Sequence, residues 1–261
     1  MKLVFQNLSA AYRKNAVLED ISFQIPAGSI TAVTGANGAG KSTLLRCLTG
    51  EKRDYRGEIF LDGRNIRPLT AVERARLISC LPQELPCPHV TVEELVGLGR
   101  SPYTHWTGSL SPADRETVNK ALLATGMQPW KDAFVDTLSG GQRKKAFFAM
   151  VLAQDTPLVL LDEPTAHLDT ASRFAFLELV EQLRRDTGKT FLLVIHELPE
   201  VLSCADQILV LSDRKLVFDG NGQDFLSGQI PQTYFRVDIS GNRQEGFALR
   251  PLEKPECGRS L

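Results

Sequence analysis

Three short apolar runs in the sequence end abruptly at a small or polar residue. They are residues 30–34 before Gly35, residues 158–161 before Asp162, and residues 191–195 before His196. Continuous apolar runs are typical of parallel strands that helices cover on both faces. The pattern therefore predicts an α/β fold with a mostly parallel sheet. In such sheets ligands bind at the carboxyl ends of strands, so the residues that follow these runs are candidates for function.

Two other regions have different patterns. The first thirty residues and residues 57–63 contain strand-like runs separated by polar and glycine turns, which predict an antiparallel β subdomain. Residues 86–153 read as helical, with a capping-box start at Thr91 and a proline directly after Ser111. This stretch predicts a helical subdomain inserted into the sheet.

The last part of the chain has a lower density of apolar residues. Residues 208–218 predict a terminal hairpin, and the apolar content falls after it. We therefore divide the chain into a domain of residues 1–230 and a C-terminal extension of residues 231–261, which we expect to be loose.

Composition excludes several classes of protein. The chain has 261 residues, 43% hydrophobic and 23% charged, with a formal net charge of -1, so the basic footprint of a nucleic-acid-binding protein is missing. No run approaches the roughly 20 apolar residues of a membrane span, and polar residues come too early for a signal peptide. Five cysteines without a CxxC pair indicate neither a disulfide framework nor a zinc site. We expect a cytoplasmic protein with reduced thiols.

The residues after the first run form a glycine-rich loop that is typical of phosphate binding. The pattern is G-x-x-x-x-G-K-[ST] between a predicted strand and a predicted helix, and its residues are Gly35, Ala36, Asn37, Gly38, Ala39, Gly40, Lys41 and Ser42, followed by Thr43. Glycines allow the backbone N–H groups to approach phosphates closely. Lys41 is predicted to contact the β- and γ-phosphates, and Ser42 to offer a hydroxyl to Mg²⁺.

Two adjacent carboxylates follow the second run. We expect Asp162 to lie beside the loop of a neighbouring parallel strand and to give Mg²⁺ a second protein oxygen. Adjacent positions at a strand end point in different directions, so Glu163 can approach the attacking water while Asp162 holds the metal. We assign Glu163 as the general base.

A second anion site is predicted at the start of another helix. Ser139 is a natural N-cap before a run rich in alanine and large apolar residues, and Gly140, Gly141 and Gln142 follow it. One nucleotide per chain does not need two such sites.

The sequence LSGGQ at residues 138–142, upstream of the Asp162 strand, resembles the signature of the ABC ATPases. The resemblance covers about residues 2–225. It implies a P-loop NTPase fold with a RecA-like core sheet, an antiparallel β subdomain and an inserted helical signature subdomain, with ATP and Mg²⁺ bound. It further matches Tyr12 to the adenine-stacking aromatic, Gln83 to the Q-loop glutamine, Asp169 to the D-loop and His196 to the switch histidine.

The same resemblance implies roles and partners. Ser139 and Gly141 of one chain would close over the nucleotide held by Lys41 of a second chain, most simply in a homodimer. His196 would position the attacking water electrostatically, and Gln83 would join the metal ligands and connect the nucleotide to the helical subdomain. Glu197, Lys144 and Lys145 depart from the common family pattern without removing a catalytic group.

A single free-standing copy of the domain resembles the separate ATPase subunits of importers. Residues 91–103 and 149–156 resemble the iron-siderophore, haem and cobalamin group more closely. The expected partners are a second ATPase subunit, a membrane permease and, indirectly, a substrate-binding protein, with the chain peripheral on the cytoplasmic face of the membrane. A zinc or manganese importer and an ABC ATPase without a permease remain alternatives. His105 and Trp106 are interpreted as subdomain packing.

Overall fold

A six-stranded sheet forms the centre of the molecule, in a computed structural model that describes residues 1–104 and 109–252. Its strands are β3 (Ile30–Gly35), β6 (Ile78–Leu81), β7 (Leu158–Asp162), β8 (Thr190–Val194), β9 (Gln207–Ser212) and β10 (Lys215–Gly220). The order is β10-β9-β3-β8-β7-β6, and every pair is parallel except β9 with β10. The predicted parallel strands and terminal hairpin are confirmed.

A four-stranded antiparallel sheet forms the predicted β subdomain. It contains β1 (Leu3–Tyr12), β2 (Asn15–Ile25), β4 (Tyr55–Leu61) and β5 (Arg64–Asn65), in the order β2-β1-β4-β5. The β1–β2 ladder has shifts in register, so the subdomain bends at these positions.

Eight α-helices surround the two sheets within the described ranges. They are α1 (Lys41–Thr49), α2 (Ala71–Ala75), α3 (Val92–Gly97), α4 (Pro112–Ala124), α5 (Gly140–Ala153), α6 (Thr170–Thr187), α7 (Leu198–Cys204) and α8 (Gly222–Ser227). Helices α3, α4 and α5 pack on one another between β6 and β7 in the chain. Each begins with a capping box, at Thr91, Ser111 and Ser139. None of the helices in the two described ranges is long and apolar enough to span a bilayer.

Hydrophobic cores cover both faces of the central sheet. On one face Ile30 and Leu161 pack with Phe148 of α5 and Phe176 of α6. On the other face apolar residues of the same strands, including Val33, pack with helix α1 and the β subdomain. This two-sided burial is the physical reason for the continuous apolar runs in the sequence.

The C-terminal extension, which the sequence predicts to be loose over residues 231–261, contains regular structure as far as residue 251. Strands β11 (Val237–Asn242) and β12 (Gly246–Pro251) form an antiparallel hairpin. Half-buried side chains of the hairpin, among them Ile239 and Phe247, pack against the core. Residues 253–261 lie outside the described residues, as do His105 and Trp106.

Candidate functional site

The loop between β3 and α1 has a conformation that only glycine permits at its two ends. Gly35 has φ 142°, and a Cβ there would lie 2.1 Å from the Leu211 carbonyl oxygen. Gly40 has φ 102°, and its Cβ would lie 2.5 Å from Leu18 Cδ2. Gly40 is the N-cap of α1, where no side chain of the described residues makes a capping hydrogen bond. The backbone N–H groups of the first turn are therefore available to an anion.

The middle of this loop faces solvent. Ala36, Asn37 and Gly38 are exposed, and Gly38 has φ 80°. The turn closes through a hydrogen bond from the Ala39 N–H to the Ala36 carbonyl oxygen at 3.2 Å. Ala39 and Thr43 are buried, so they support the loop from inside.

Lys41 places its ammonium group at the mouth of the loop. Its Nζ donates to the carbonyl oxygens of Gly35 at 2.7 Å and Ala36 at 2.9 Å. The side chain is buried, and burial lowers the pKa of Lys41, although the charges of Glu163 and Asp162 oppose this shift. The loop thus holds a positive charge next to free N–H donors, which suits a polyphosphate.

Ser42, Gln83 and Asp162 line one cavity of about 340 Å³. Asp162 ends β7, and its Oδ1 is buried without a hydrogen-bond partner in the described part of the chain. Burial and then the neighbouring Glu163 raise the pKa of Asp162. A buried, unpaired carboxylate oxygen beside a hydroxyl fits a divalent cation, because a cation would satisfy the oxygen and offset its desolvation.

The position of Asp162 differs from the expectation in one respect. Strand β8 lies between β3 and β7, so Asp162 does not follow a strand adjacent to the phosphate loop. Asp162 instead pairs in register with Val194 of β8. The carboxyl ends of all three strands share one edge of the sheet, and this brings Asp162 and Ser42 to the same cavity.

Both carboxylate oxygens of Glu163 have side-chain partners. Gln83 Nε2 donates to Glu163 Oε2 at 2.7 Å, and His196 Nε2 lies 2.6 Å from Glu163 Oε1. Glu163 has φ 48°, a left-handed conformation that costs energy in a residue with a side chain. The structure therefore brings together three residues that lie far apart in the sequence. Two of them, Gln83 and His196, contact the carboxylate of the third, Glu163.

Tyr12 lies beside the exposed side of α1. Arg46 Nη1 donates to the Tyr12 hydroxyl at 3.3 Å, and Lys52 Nζ lies 4.9 Å from the ring centroid. Tyr12 as a whole is 41% exposed. An exposed aromatic at this place has a free face, and its stacking on a base stays a prediction.

The signature residues lie in a second cavity, of about 370 Å³, which Ser139, Gly141 and Gln142 line. Ser139 is the N-cap of α5, as predicted. Its Oγ accepts from the Gln142 N–H at 3.3 Å, while Gln142 Oε1 accepts from the Ser139 N–H at 3.0 Å. Ser42 lines the other cavity, so the phosphate loop and the Ser139 helix start open into different cavities.

Within residues 1–104 and 109–252, no close contact explains either signature glycine. A Cβ at Gly140 would meet nothing within 4 Å, and one at Gly141 would meet only Leu168 Cδ2 at 3.8 Å. Glycine in a helix costs about 1 kcal/mol relative to alanine. The two glycines therefore leave open backbone at a helix N-terminus that faces outward.

Asp169 has a local structural role in the chain. It is the N-cap of α6, with Oδ1 accepting from the Ser172 N–H at 2.9 Å and Oδ2 from the Ser172 hydroxyl at 2.8 Å. These hydrogen bonds lower the pKa of Asp169. Its contact with nucleotide stays a prediction.

Two buried charged residues near Glu163, Lys144 and Glu200, have no role that the sequence predicts. Lys144 donates to the Ala166 carbonyl oxygen at 2.9 Å, and Glu200 accepts from the Thr165 hydroxyl at 2.5 Å. Helical spacing was an available signal for Lys144, because it shares a face of α5 with the buried Phe148. Glu200 has no comparable signal.

Comparison with known proteins gives consistent matches over nearly the whole chain. Residues 18–166, more than half of it, match the family model described as "ABC transporter". The ferric enterobactin transport ATP-binding protein FepC of Escherichia coli (strain K12) is 40% identical, over 86% of this chain and 83% of its own length. The achromobactin transport ATP-binding protein CbrD of Dickeya dadantii (strain 3937) is 36% identical, over 89% and 87%. A solved chain from an inward-facing ABC transporter assigned to the metal-chelate type has a TM-score of 0.82 at 27% identity, covering 97% of this chain and 98% of that one.

Proposed function

The chain belongs to the ABC transporter family, and on this basis we propose that it hydrolyses ATP to drive membrane uptake of ferric siderophores. The observation that carries the proposal is the placement of Glu163 between Gln83 and His196, at the same sheet edge as the glycine-rich loop. This arrangement combines a phosphate cradle with an oriented carboxylate.

ATP hydrolysis requires a water molecule directed at the γ-phosphorus and a group that accepts its proton. Each carboxylate oxygen of Glu163 has one partner, from Gln83 or His196, and retains lone-pair capacity for water. The water oxygen bonds to the γ-phosphorus as the bond to the bridging oxygen of ADP breaks, and Glu163 accepts the proton. Gln83 and His196 fix the direction of the carboxylate.

The phosphates are bound by the loop and its lysine. Free N–H groups at the start of α1 surround the β- and γ-phosphates, and Lys41 adds a positive charge there. Ser42, Gln83 and Asp162 would hold Mg²⁺, which when bound neutralises part of the phosphate charge. In the described ranges no cluster of three or more His, Cys, Asp or Glu side chains could hold a metal. Mg²⁺ needs only one or two protein carboxylates beside phosphates and water, so the residues present suffice.

A second copy of the chain completes the site. Gly141 lines a cavity with Ser139 that does not include the chain's own phosphate loop, whereas Gly140 lines a cavity with Gln83. An outward-facing helix N-terminus suits the γ-phosphate of a nucleotide bound to a partner. Head-to-tail pairing then places a nucleotide between Lys41 of one chain and Ser139 and Gly141 of the other.

Transport requires partners in the membrane. We infer that the chain binds a permease at the cytoplasmic face, as a peripheral subunit, and that a substrate-binding protein delivers the cargo. The names of the two relatives give achromobactin transport and ferric enterobactin transport, and they favour a ferric siderophore over haem, cobalamin, zinc or manganese. ATP binding closes the pair and hydrolysis reopens it.

The test combines ATPase activity with uptake, using wild-type chain and Glu163→Gln. The purified wild-type chain is expected to hydrolyse ATP only with Mg²⁺. The variant should lose roughly 10²- to 10⁴-fold in rate while still binding nucleotide, because only proton transfer and water orientation are removed. Cells that lack the chain, or carry the variant at equal expression, should fail to take up ⁵⁵Fe-loaded siderophore.

Three outcomes would contradict the proposal. Full hydrolysis by Glu163→Gln would show that Glu163 is not the general base. If cells without the chain lost uptake of cobalamin, haem or zinc but took up siderophore normally, the cargo would not be a ferric siderophore. Purification of the chain from detergent-solubilised membranes without any polytopic protein would favour an ABC ATPase that works without a permease.

A further inference from the structure

The turn that follows strand β7, from Glu163 to Leu168, is held in a strained conformation. Glu163 has φ 48° and His167 has φ 63°. Internal hydrogen bonds join the Ala166 N–H to the Glu163 carbonyl oxygen at 3.1 Å and the Leu168 N–H to the Thr165 carbonyl oxygen at 3.2 Å. Left-handed conformations at non-glycine residues persist only where the surroundings hold them. The contacts around this turn therefore control where the Glu163 side chain points.

Two neighbouring helices anchor the far side of the turn. The Thr165 hydroxyl donates to Glu200 of α7 at 2.5 Å, and Arg173 of α6 donates to the Leu168 carbonyl oxygen at 2.8 Å. Arg173 also pairs with Glu200 at 3.2 Å. These contacts fix residues 165–168, but they do not reach the peptide groups nearest Glu163.

Lys144 of α5 contacts the near side of the turn. Its Nζ donates to the Ala166 carbonyl oxygen at 2.9 Å and lies 3.5 Å from the Glu163 carbonyl oxygen. Only 6% of the residue is exposed, and burial lowers the pKa of Lys144, although the Glu163 charge partly opposes this. Burying an ammonium group without a carboxylate in contact is costly, so a hydrophobic residue would pack here at lower cost.

The position of Lys144 connects two functional parts of the molecule. Helix α5 begins at the Ser139 cap, which faces the second anion site, and Lys144 lies in its second turn. The same side chain ends at the carbonyl group of Glu163. One helix turn and the Lys144 side chain thus connect the signature end of α5 to the general base.

We propose that Lys144 is a positioning residue, which holds the Glu163 turn against the signature helix so that the carboxylate is aimed at the attacking water. The inference rests on the proposed function, since it assigns Lys144 a role only through Glu163. Lys144 is assigned no contact with nucleotide or with the attacking water. Its effect is on the rate of the chemical step.

The test measures ATPase kinetics of the purified full-length chain with Lys144→Met, which keeps the length of the side chain and removes the donor. We expect kcat to fall by about 10²-fold, the order of loss for a misplacement near 1 Å. KM for ATP should stay within about twofold, because binding by the loop is not changed. Lys144→Gln keeps an N–H donor on a shorter side chain and should fall between wild type and Lys144→Met.

A double variant separates positioning from a structural effect. In the Glu163→Gln background, Lys144→Met should cause no further loss in single-turnover rate, because a residue that acts through Glu163 has nothing left to position. Lys120→Met is the control, since Lys120 is an exposed lysine of α4 in a surface pair with Glu116. It should leave kcat unchanged.

Three results would overturn the inference while the proposed function stands. The first is a kcat within twofold of wild type in both Lys144 variants, while Glu163→Gln is inactive. The second is a double variant whose loss in rate is the product of the two single losses. The third is a change in KM as large as that in kcat, together with a lower melting temperature. A wild-type chain without ATPase activity would contradict the proposed function itself, and this inference with it.

Discussion

At the scale of single residues, the site contains buried charged groups that lower the stability of the chain without ligand. Asp162 is the clearest case, because burial and the adjacent Glu163 raise its pKa and its Oδ1 lacks a partner within the described ranges. Such an arrangement is expected where a carboxylate waits for a cation. The stability cost at this position is therefore consistent with the proposed role of Asp162 as a metal ligand.

Replacing the charge tests this view. Asp162→Asn should raise the melting temperature of the chain without nucleotide and Mg²⁺, and should lower Mg²⁺-dependent ATPase activity by roughly 10²-fold or more. A raised pKa means that the charged form destabilises the fold above that pKa and becomes neutral below it. The gain from asparagine should therefore be largest at neutral pH and shrink as the pH falls.

Thermal unfolding at a series of pH values, with Asp213→Asn as an exposed control, measures this effect. A lower melting temperature for Asp162→Asn at neutral pH would contradict it.

Some residues could be located from the sequence and others could not, for a physical reason. The glycine-rich loop and the Asp162–Glu163 pair are local patterns. The residue types at neighbouring positions are enough to recognise them. Lys144 could not be assigned in this way, because its partners are carbonyl groups on a turn far along the chain. Backbone acceptors have no sequence identity, so no motif records them.

At the scale of elements, helix starts were predictable because their chemistry is local. A capping box needs only two side chains three positions apart, as at Thr91 and Ser139. The C-terminal hairpin gave no such signal. Its apolar face is short and half buried. Arg243, in the turn of the hairpin, also donates to the carbonyl oxygens of Leu202 and Ala205 at the end of α7.

The attachment of the hairpin can be tested through Arg243. Arg243→Ala leaves two carbonyl groups at the end of α7 without their donor, so we expect the free energy of unfolding to fall by about 1–2 kcal/mol. Urea denaturation measures this change. Arg250→Ala, on the exposed part of β12, serves as the control and should have little effect. Equal stability of Arg243→Ala and wild type would show that the hairpin is held by its apolar contacts alone.

At the scale of the whole molecule, the fold class followed from the apolar runs, but the strand order did not. Continuous apolar strands predict a parallel sheet covered on both faces, and the sheet is of this kind. The order of strands depends on crossovers between distant segments, so the insertion of β8 between β3 and β7 was not visible. The shared sheet edge still brought Asp162 and Ser42 together.

At the same scale, two helix starts that open into different cavities support the proposed pairing with a second copy of the chain. The loop at Lys41 and the helix start at Ser139 each offer free N–H groups, in different cavities. A head-to-tail pair uses both sites of both chains and buries two nucleotides. Hydrolysis would then convert a closed pair into separate subunits.

Light scattering on Glu163→Gln with saturating ATP and Mg²⁺ tests this claim most directly, because the variant binds nucleotide without consuming it. A particle of twice the 28.8 kDa chain mass is expected with MgATP, and single chains with MgADP. Particles of one chain mass at every MgATP concentration would contradict it.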